Sequence, residues 1–456
     1  MARIRSAMTL ALAVLYLVSA FWKSGALENL DIILAVVVLG LSLADVSGTS
    51  RIIGYSFFIV SSVLLFYYRA PLDVWEQGLQ ENLYLVVMFT LVPLLSIPIR
   101  HGGYFENLQA FFKRYVDSNS RFYLLVSLIS AFVGVLVNMA VVPLVHQISQ
   151  ASHRSADKKL LSSSISRGFA TCTIWAPTTA AIGLILKVTG ASWPLFFPFG
   201  LLMGAIAGLV GYVMTLFEER VKDPAEVPEP PALGEHLNWR KVIELSAFGL
   251  VLIAVVAIIS LLTGIQTVIV VALVSLLFPV LWLGIIGRLR LLAREFTGDY
   301  FNESLPRLKN EIVLFLGAGL LATSITYSHL GNYVPQFLKL IVGHNALMFA
   351  AVVSFGSLVL SAFGVHPIIL VTVIGSTVQA AAYGISPTFM ALILAMGWSM
   401  GITVSPSAGT VIAISGLAEE SPLYVGLRWN GPYAVISSAV LLAVMFALRG
   451  LGVLSI

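Results

Sequence analysis

Apolar stretches of about twenty residues, long enough to cross a hydrocarbon layer of about 30 Å as helices, follow one another along most of this chain. Only 11% of the residues are charged and 58% are hydrophobic, whereas soluble domains carry about 25% charged residues. In lipid the backbone must satisfy its own hydrogen bonds, so only helices and closed barrels span a bilayer. Apolar runs of this length and continuity favour helices. The sequence therefore predicts an all-α polytopic membrane protein surrounded by a lipid bilayer.

Nine simple spans can be read directly from the apolar runs. They lie near residues 8–22, 30–46, 53–68, 82–98, 194–217, 243–263, 266–286, 312–330 and 432–448. Two further stretches, 160–186 and 387–416, hold a proline inside a cluster of hydroxyl residues, and we interpret them as broken helices. Two others, 122–148 and 345–381, are long, apolar and interrupted. Residues 218–241 are polar, proline-rich and charged, and they are predicted to form a cytoplasmic linker.

The distribution of Lys and Arg decides how the two interrupted stretches meet the membrane. If 122–148 and 345–381 are re-entrant hairpins and the amino terminus is cytoplasmic, 21 of the 26 Lys and Arg lie in inner loops; if both cross fully, 10 do. Basic residues concentrate in cytoplasmic loops, so we predict eleven transmembrane helices plus two hairpins. The expected location is a bacterial-type inner (plasma) membrane. Residues 1–29 are expected to hold an uncleaved extra span rather than a signal peptide.

The two halves of the chain, 30–217 and 242–456, contain the same kinds of element in the same order. Each has a span, an amphipathic segment, a hairpin and a broken helix, and the broken helices align through Pro177 and Pro406. Because the halves face opposite ways in the predicted topology, they form an inverted repeat. Interrupted helices expose backbone groups that lipid tolerates only where they line a cavity or bind a solute. The hairpin tips and the helix breaks are therefore the predicted binding site.

Polar side chains at the tips and breaks are the candidate ligands of this site. The predicted substrate ligands are Asn138, Thr178, Thr179, His366, Ser405 and Ser407, and the predicted cation ligands are Asn138, Thr173, Thr403 and Ser405. The alternatives are an amide that bonds only across a helix interface, a buried structural histidine and hydroxyls that only cap bent helices. Half-helix amino ends are expected to supply positive potential, because no arginine is expected in the core.

Other chemistries lack the residues that they require. No carboxylate is expected deep inside a span, which disfavours a proton relay through Asp or Glu and leaves Na⁺ on oxygen ligands, or H⁺ on His366, as the coupling ion. No metal-site spacing, phosphate-binding glycine loop or catalytic triad is present in the sequence, and nothing points to nucleic acid. The single cysteine, Cys172, is expected to be a small buried residue. An enzyme that uses Cys172 and His366 is the alternative from another class, and a channel is a third.

The order of elements resembles the ion transporter superfamily and, within it, the divalent anion/sodium symporter family, over about residues 30–448. The resemblance implies two hairpins, a homodimer and an elevator-type transport domain that moves against a scaffold. Members carry a Ser-Asn-Thr triplet at each tip, where this chain has Val137-Asn138-Met139 and Gly364-Val365-His366. The breaks of this chain, Ala176-Pro177-Thr178 and Ser405-Pro406-Ser407, are similar to the Pro-containing loops of the family. The matching residues are Asn138, Thr178, Ser405 and Ser407.

These observations lead to one main hypothesis of function. The chain is predicted to be a non-enzymatic secondary transporter of a small carboxylate-type organic anion, coupled to a cation and working by alternating access. Two alternatives stay within transport: the membrane subunit of a multi-component organic-anion importer, and an exporter of an oxyanion, a metalloid or an organic acid.

Overall fold

The computed structural model describes residues 2–221 and 238–454, so most of the predicted linker 218–241 lies outside the described residues. Every regular element in these ranges is a helix, which confirms the all-α prediction. The first half contains α1 Ala2–Phe21, α2 Gly25–Leu43, α3 Gly48–Tyr67, α4 Leu72–Gln80, α5 Leu83–Leu91, α6 Ser96–His101, α7 Tyr104–Tyr115, α8 Asn119–Val137, α9 Val141–Ser149, α10 Lys158–Cys172, α11 Ala180–Thr189 and α12 Trp193–Val221. The second half contains α13 Trp239–Thr263, α14 Thr267–Ile285, α15 Leu289–Glu295, α16 Leu305–Arg307, α17 Lys309–Tyr327, α18 Tyr333–Val342, α19 Ala346–Ala362, α20 Pro367–Thr377, α21 Pro387–Val404, α22 Gly409–Ala418 and α23 Gly431–Gly450.

Eleven helical stretches among the described residues are long and apolar enough to cross a membrane, which is the number that the sequence predicted. Their membership differs from the prediction in two places. Asn119–Ser149, predicted as a hairpin, qualifies by length and composition, whereas the predicted broken helix 160–186 does not. The break divides this stretch into helices of 15 and 10 residues, and four serines and Arg167 lower the hydropathy of the longer one, α10. Length and composition alone therefore do not separate the hairpin from the spans.

Hydrogen bonds show that the chain reverses between α8 and α9. Arg154, which follows α9, donates to Asn119 Oδ1 at 3.0 Å and to Asp117 O at 2.8 Å, at the start of α8. A continuous helix over the 31 residues 119–149 would place its two ends about 46 Å apart. Arg154 could not then reach the start of α8. Residues 119–149 therefore leave at the side from which they enter.

The chain also reverses between α19 and α20. The Tyr383 ring stacks on Phe349, near the start of α19, with ring centroids 4.1 Å apart, and a His344 ring nitrogen lies 3.2 Å from Ala382 O. Between the two arms Gly364 has φ +87°, a conformation in which a side chain would be strained. The turn therefore depends on this glycine.

The bases of the two hairpins lie at opposite ends of the α21–α22 stretch. Gly384, which precedes α21, accepts a hydrogen bond from Arg449 at the end of α23, beside the base of the second hairpin. Glu419, which follows α22, pairs with Lys158 at the start of α10, beside the base of the first hairpin. Residues 387–418 form one apolar stretch of 32 residues between these ends. The hairpins thus enter from opposite sides, as an inverted repeat requires.

The described residues divide into two compact units. Unit 1 comprises Met1–Pro98, Leu252–Gly343 and Ile368–Gln379, and unit 2 comprises Ile99–Val251, His344–Pro367 and Ala380–Ile456. Each unit draws on both halves of the chain, so the units interleave in sequence. Unit 2 contains both broken helices, the first hairpin and the first arm and tip of the second. Every contact described below for the candidate site lies within unit 2.

Unit 1 buries two polar groups that connect its helices. Arg5 of α1 donates to Asp45 Oδ2 at 2.7 Å and to Pro306 O at 2.9 Å. Asp31 is buried in α2, and its Oδ2 accepts from Ser19 Oγ at 2.5 Å. The sequence placed carboxylates only near span ends, and Asp31 departs from this because α2 begins at Gly25, five residues before the predicted span.

Candidate functional site

The first helix break is tied to the first hairpin tip. The break separates α10 from α11, and Pro177 inside it has no N–H to donate. Thr178 is fully buried, and its Oγ1 donates to Val135 O, three residues before Asn138, at 2.6 Å. The two helices also pack side by side, since Ser127 Oγ donates to Ser164 O at 3.1 Å. The predicted site residue Thr178 therefore lies at the tip.

The second break repeats this arrangement at the second tip. Ser407 Oγ donates to Gly364 O at 2.8 Å and lies 2.9 Å from Ser405 Oγ. In both repeats the two bonded residues are 43 positions apart. Each tip is thus held by a hydroxyl that directly follows the proline of the adjacent break.

The two broken helices cross each other at equivalent positions. Ser399 Oγ of α21 donates to Ala170 O of α10 at 2.6 Å, and these residues are 229 positions apart. The same separation relates Pro177 to Pro406, the pair that aligned the two halves in the sequence. Contact between equivalent residues is what a two-fold pseudo-symmetry axis produces. The crossing therefore lies close to the axis that relates the repeats.

The first tip also contacts the second break. A Cβ on Gly409, the first residue of α22, would collide with Met139 Cε, so Gly409 lets the tip approach the helix. Asn138 has φ +53° and ψ −137°, a conformation that costs a non-glycine residue about 1–3 kcal/mol. Its side-chain amide hydrogen-bonds none of the described residues. A strained residue with an available amide is typical of a binding site rather than of a helix interface.

The other predicted hydroxyls donate to backbone carbonyls three residues earlier in the chain. Thr173 donates to Ala170 O, Thr179 to Ala176 O and Thr403 to Met400 O, each at 2.7–2.8 Å. This is the capping role that was the structural alternative for these residues. Their oxygens keep lone pairs that can bind a cation, and their role as cation ligands stays a prediction. His366, at the second tip, lies edge-on to Trp398 with ring centroids 5.7 Å apart.

An arginine lies in the core of unit 2, where the sequence interpretation expected none. Arg167 in α10 is 3% exposed; its Nε donates to Asn430 Oδ1 at 3.1 Å and its Nη2 to Trp429 O at 2.9 Å. Arg167 was one of the 21 Lys and Arg residues counted in inner loops. The missing signal was the helical continuity from Lys158 to Cys172.

The chain is similar to two proteins of known structure. The transporter YdaH of Alcanivorax borkumensis is similar over 82% of this chain and 87% of its own, with a TM-score of 0.54 and 14% identity. MtrF of Neisseria gonorrhoeae, described within a class of antimetabolite efflux pumps, matches 94% of this chain and 97% of its own at 14% identity, with a TM-score of 0.42. No protein-family model and no curated protein sequence matches the chain. The similarity to YdaH shows a shared fold, and the symporter family stays a resemblance.

Proposed function

We propose that the protein is a secondary transporter of a small carboxylate-type organic anion, coupled to a cation. One observation carries the proposal: within unit 2, hydroxyls bind both hairpin tips to both helix breaks, around the strained residue Asn138. Interrupted helices that meet near a pseudo-two-fold axis form the substrate and ion sites of many transporters. A channel needs no such paired tips.

Each part of the site has a chemical role in this proposal. The half-helices α11 and α22 begin at the breaks, and neither amino end has a side-chain cap, so their first N–H groups favour an anion. The Ser405 and Ser407 hydroxyls contact carboxylate oxygens, and His366 donates to the substrate or carries the coupling proton. The Asn138 oxygen, with Thr173 and Thr403, coordinates the cation.

Alternating access requires the tips to leave the breaks in turn. Release of the first tip breaks the Thr178 hydrogen bond, and release of the second breaks the Ser407 hydrogen bond. A hydrogen bond of this kind contributes about 0.5–1.5 kcal/mol, so thermal motion and ligand binding can open either tip. An elevator-like movement of a homodimer is the form that we propose for the cycle.

The test is uptake and export of radiolabelled succinate, citrate and benzoate by proteoliposomes, in Na⁺ and in K⁺. The wild type is expected to move at least one anion in a saturable way, faster with a Na⁺ gradient. The Asn138→Ala, Ser405→Ala double variant is expected to lose transport. The matched control is Ser56→Ala with Thr263→Val, which removes two exposed hydroxyls that donate within their own helices.

Normal transport in both directions by the Asn138→Ala, Ser405→Ala variant would refute the assignment of the site. Flux that rises linearly with concentration and never saturates would instead indicate a channel. Transport that depends on pH and not on Na⁺ would move the coupling role to His366.

A further inference from the structure

Unit 2 also contains a polar cleft, which lies toward the starts of α8 and α10, away from the hairpin tips. It is open to solvent at one side and lies between α8, α10 and α12. Its wall includes Tyr123, Ser163, Arg167 and Thr215. Its mouth includes Asn119, Asp157, Lys159, Glu218 and Glu219. The cleft contains none of the tip residues, so it is distinct from the candidate site described above.

The cleft exposes a buried positive charge that lacks a counter-charge. Arg167 pairs with none of the described carboxylates, and its Nη1 donates to none of the described residues. The guanidinium lies over the Tyr433 ring, with Cζ 4.9 Å from the ring centroid. A buried cation is costly unless hydrogen bonds and an opposite charge compensate it. Two neutral carbonyl acceptors provide only part of this compensation.

Two buried hydroxyls line the same cleft without acceptors. Ser163 is 4% exposed, and its Oγ has no hydrogen-bond partner among the described residues. The Tyr123 hydroxyl is buried close to Arg167 and Ser127, yet it forms no hydrogen bond of normal geometry. Most buried polar groups in proteins are paired, so each exception calls for an explanation. A guanidinium with a spare N–H group and two unpaired O–H groups are all donors, and an oxyanion accepts from all of them.

The acidic residues at the mouth are occupied by their own partners. Glu219 accepts from the N–H groups of Asn119 and Ser120, at 2.7 and 3.1 Å. Glu218 pairs with Lys159 at 2.9 Å. Asp157 caps α10 by accepting from the Leu160 N–H at 2.9 Å. None of these carboxylates neutralises Arg167, so the positive charge remains available to a ligand.

We propose that this cleft binds a small soluble oxyanion, a carboxylate or a phosphate, through Arg167, Ser163 and Tyr123. Arg167 supplies charge-assisted hydrogen bonds, and the two hydroxyls complete the coordination of the anion oxygens. A soluble anion fits better than a lipid headgroup, because charged side chains line the mouth and Leu160 is the one aliphatic residue in the lining. The site is additional to the tips and does not require the proposed transport function.

The test is ligand-dependent thermal stability of the full-length protein in neutral detergent free of anionic lipid. Benzoate and inorganic phosphate are titrated against chloride at constant ionic strength, since a bound ligand raises the unfolding midpoint by mass action. At least one oxyanion is expected to give a saturable rise. The variant Arg167→Lys, which keeps the charge but loses the planar fork, is expected to weaken the apparent affinity about tenfold or more.

Two further variants keep the test independent of folding defects. Ser163→Ala and Tyr123→Phe remove hydroxyls that form no hydrogen bond of normal geometry with the described residues, so both proteins are expected to fold and to bind the oxyanion about tenfold more weakly. The control is Arg121→Gln on α8, whose side chain is 63% exposed and pairs with Asp117 outside the cleft. It is expected to bind as the wild type does.

Three results would overturn the proposal: stabilisation no larger than that by chloride, wild-type affinity in Ser163→Ala and Tyr123→Phe, or a shift produced only by phosphatidylglycerol micelles. The Asn138→Ala, Ser405→Ala variant separates the two sites. It is expected to keep the oxyanion response that depends on Arg167. Failure of the transport proposal therefore leaves this result unchanged, and the reverse also holds.

Discussion

Gly168 is the position at which one methyl group is expected to disturb the contact between the first hairpin and the first broken helix. A Cβ at Gly168 would lie 2.5 Å from Ser127 O and 2.6 Å from Ser127 Cα, which are backbone atoms of α8. Ordinary contacts of this kind measure about 3.5 Å, so α8 and α10 must separate by about 1 Å. The variant Gly168→Ala thus forces apart two helices that otherwise touch through their backbones.

The equivalent position in the second repeat provides a matched control. Gly397 lies 229 residues after Gly168, and a Cβ there would lie 3.1 Å from Ser357 Cβ and 3.2 Å from Ser357 Oγ. These are side-chain atoms, which can move by a few tenths of an ångström. The substitution Gly397→Ala makes the same chemical change against a more adaptable neighbour.

The expected magnitudes follow from two opposing effects. Overpacking costs about 1–3 kcal/mol, whereas replacing glycine by alanine inside a helix gains about 0.5–1 kcal/mol. The variant Gly168→Ala is therefore expected to lose about 1–2 kcal/mol, and Gly397→Ala to stay within about 0.5 kcal/mol of the wild type. In a chain of 456 residues a loss of this size lowers an unfolding midpoint by about 1–2 °C.

The only cysteine of the chain reports on this contact without labelling mutations. Cys172 is fully buried, and its Sγ lies 3.0 Å from the position of a Cβ on Gly134, at the interface between α8 and α10. A maleimide dye reacts with it only when this interface opens. On heating, Gly168→Ala is expected to label at a lower temperature than Gly397→Ala. Equal midpoints, or a higher one for Gly168→Ala, would refute the packing argument.

Three other predictions concern the tips and the termini. The variant Asn138→Gly relieves the strain of the positive φ and is expected to raise the midpoint of thermal unfolding. It is also expected to abolish anion transport in a flux assay, and unchanged transport would contradict the role of the amide. Thr178→Val and Ser407→Ala each remove a hydrogen bond that holds a tip and are expected to cost about 1 kcal/mol, with faster amide exchange confined to the affected tip. The hydrogen bond from Arg5 lowers the pKa of Asp45 below its ordinary value of 3.8, so its stabilisation is complete above that pH and is lost as the pH falls through the lowered pKa; melting at pH 5 and pH 3 is expected to show a smaller loss in Asp45→Asn than in the wild type.

The fold could be predicted largely because lipid restricts the options. Apolar length determines a helix, and paired prolines at Pro177 and Pro406 revealed the repeat. The reversal of the first hairpin was predicted from charge, whereas hydropathy alone counts the same residues as a span. The first broken helix shows the opposite failure, because a serine that donates to a backbone carbonyl, as Ser164 does to Leu160 O, can be buried despite its low hydropathy.

The site was less accessible to sequence reasoning, because its residues are joined by contacts rather than by a motif. Thr178 and Ser407 were predicted to lie in the helix breaks, and the bonds that join them to carbonyls of the tips leave no trace in the sequence. The burial of Arg167 depends on acceptors 262 and 263 residues away. Such distant partners cannot be inferred from one sequence. For this reason the expectation that the core contains no arginine was wrong.

The two tips are held by bonds of unequal protection. Thr178 is sealed from solvent and holds a tip whose residue Asn138 is under backbone strain, whereas Ser407 is partly exposed and holds a tip that turns on the unstrained residue Gly364. Water competes for the second bond and not for the first, which favours opening of the second tip, whereas the strain at Asn138 favours opening of the first. The two half-cycles of an alternating-access protein built this way would run at different rates. The repeat would then be symmetric in structure, while the rates of the two half-cycles would differ.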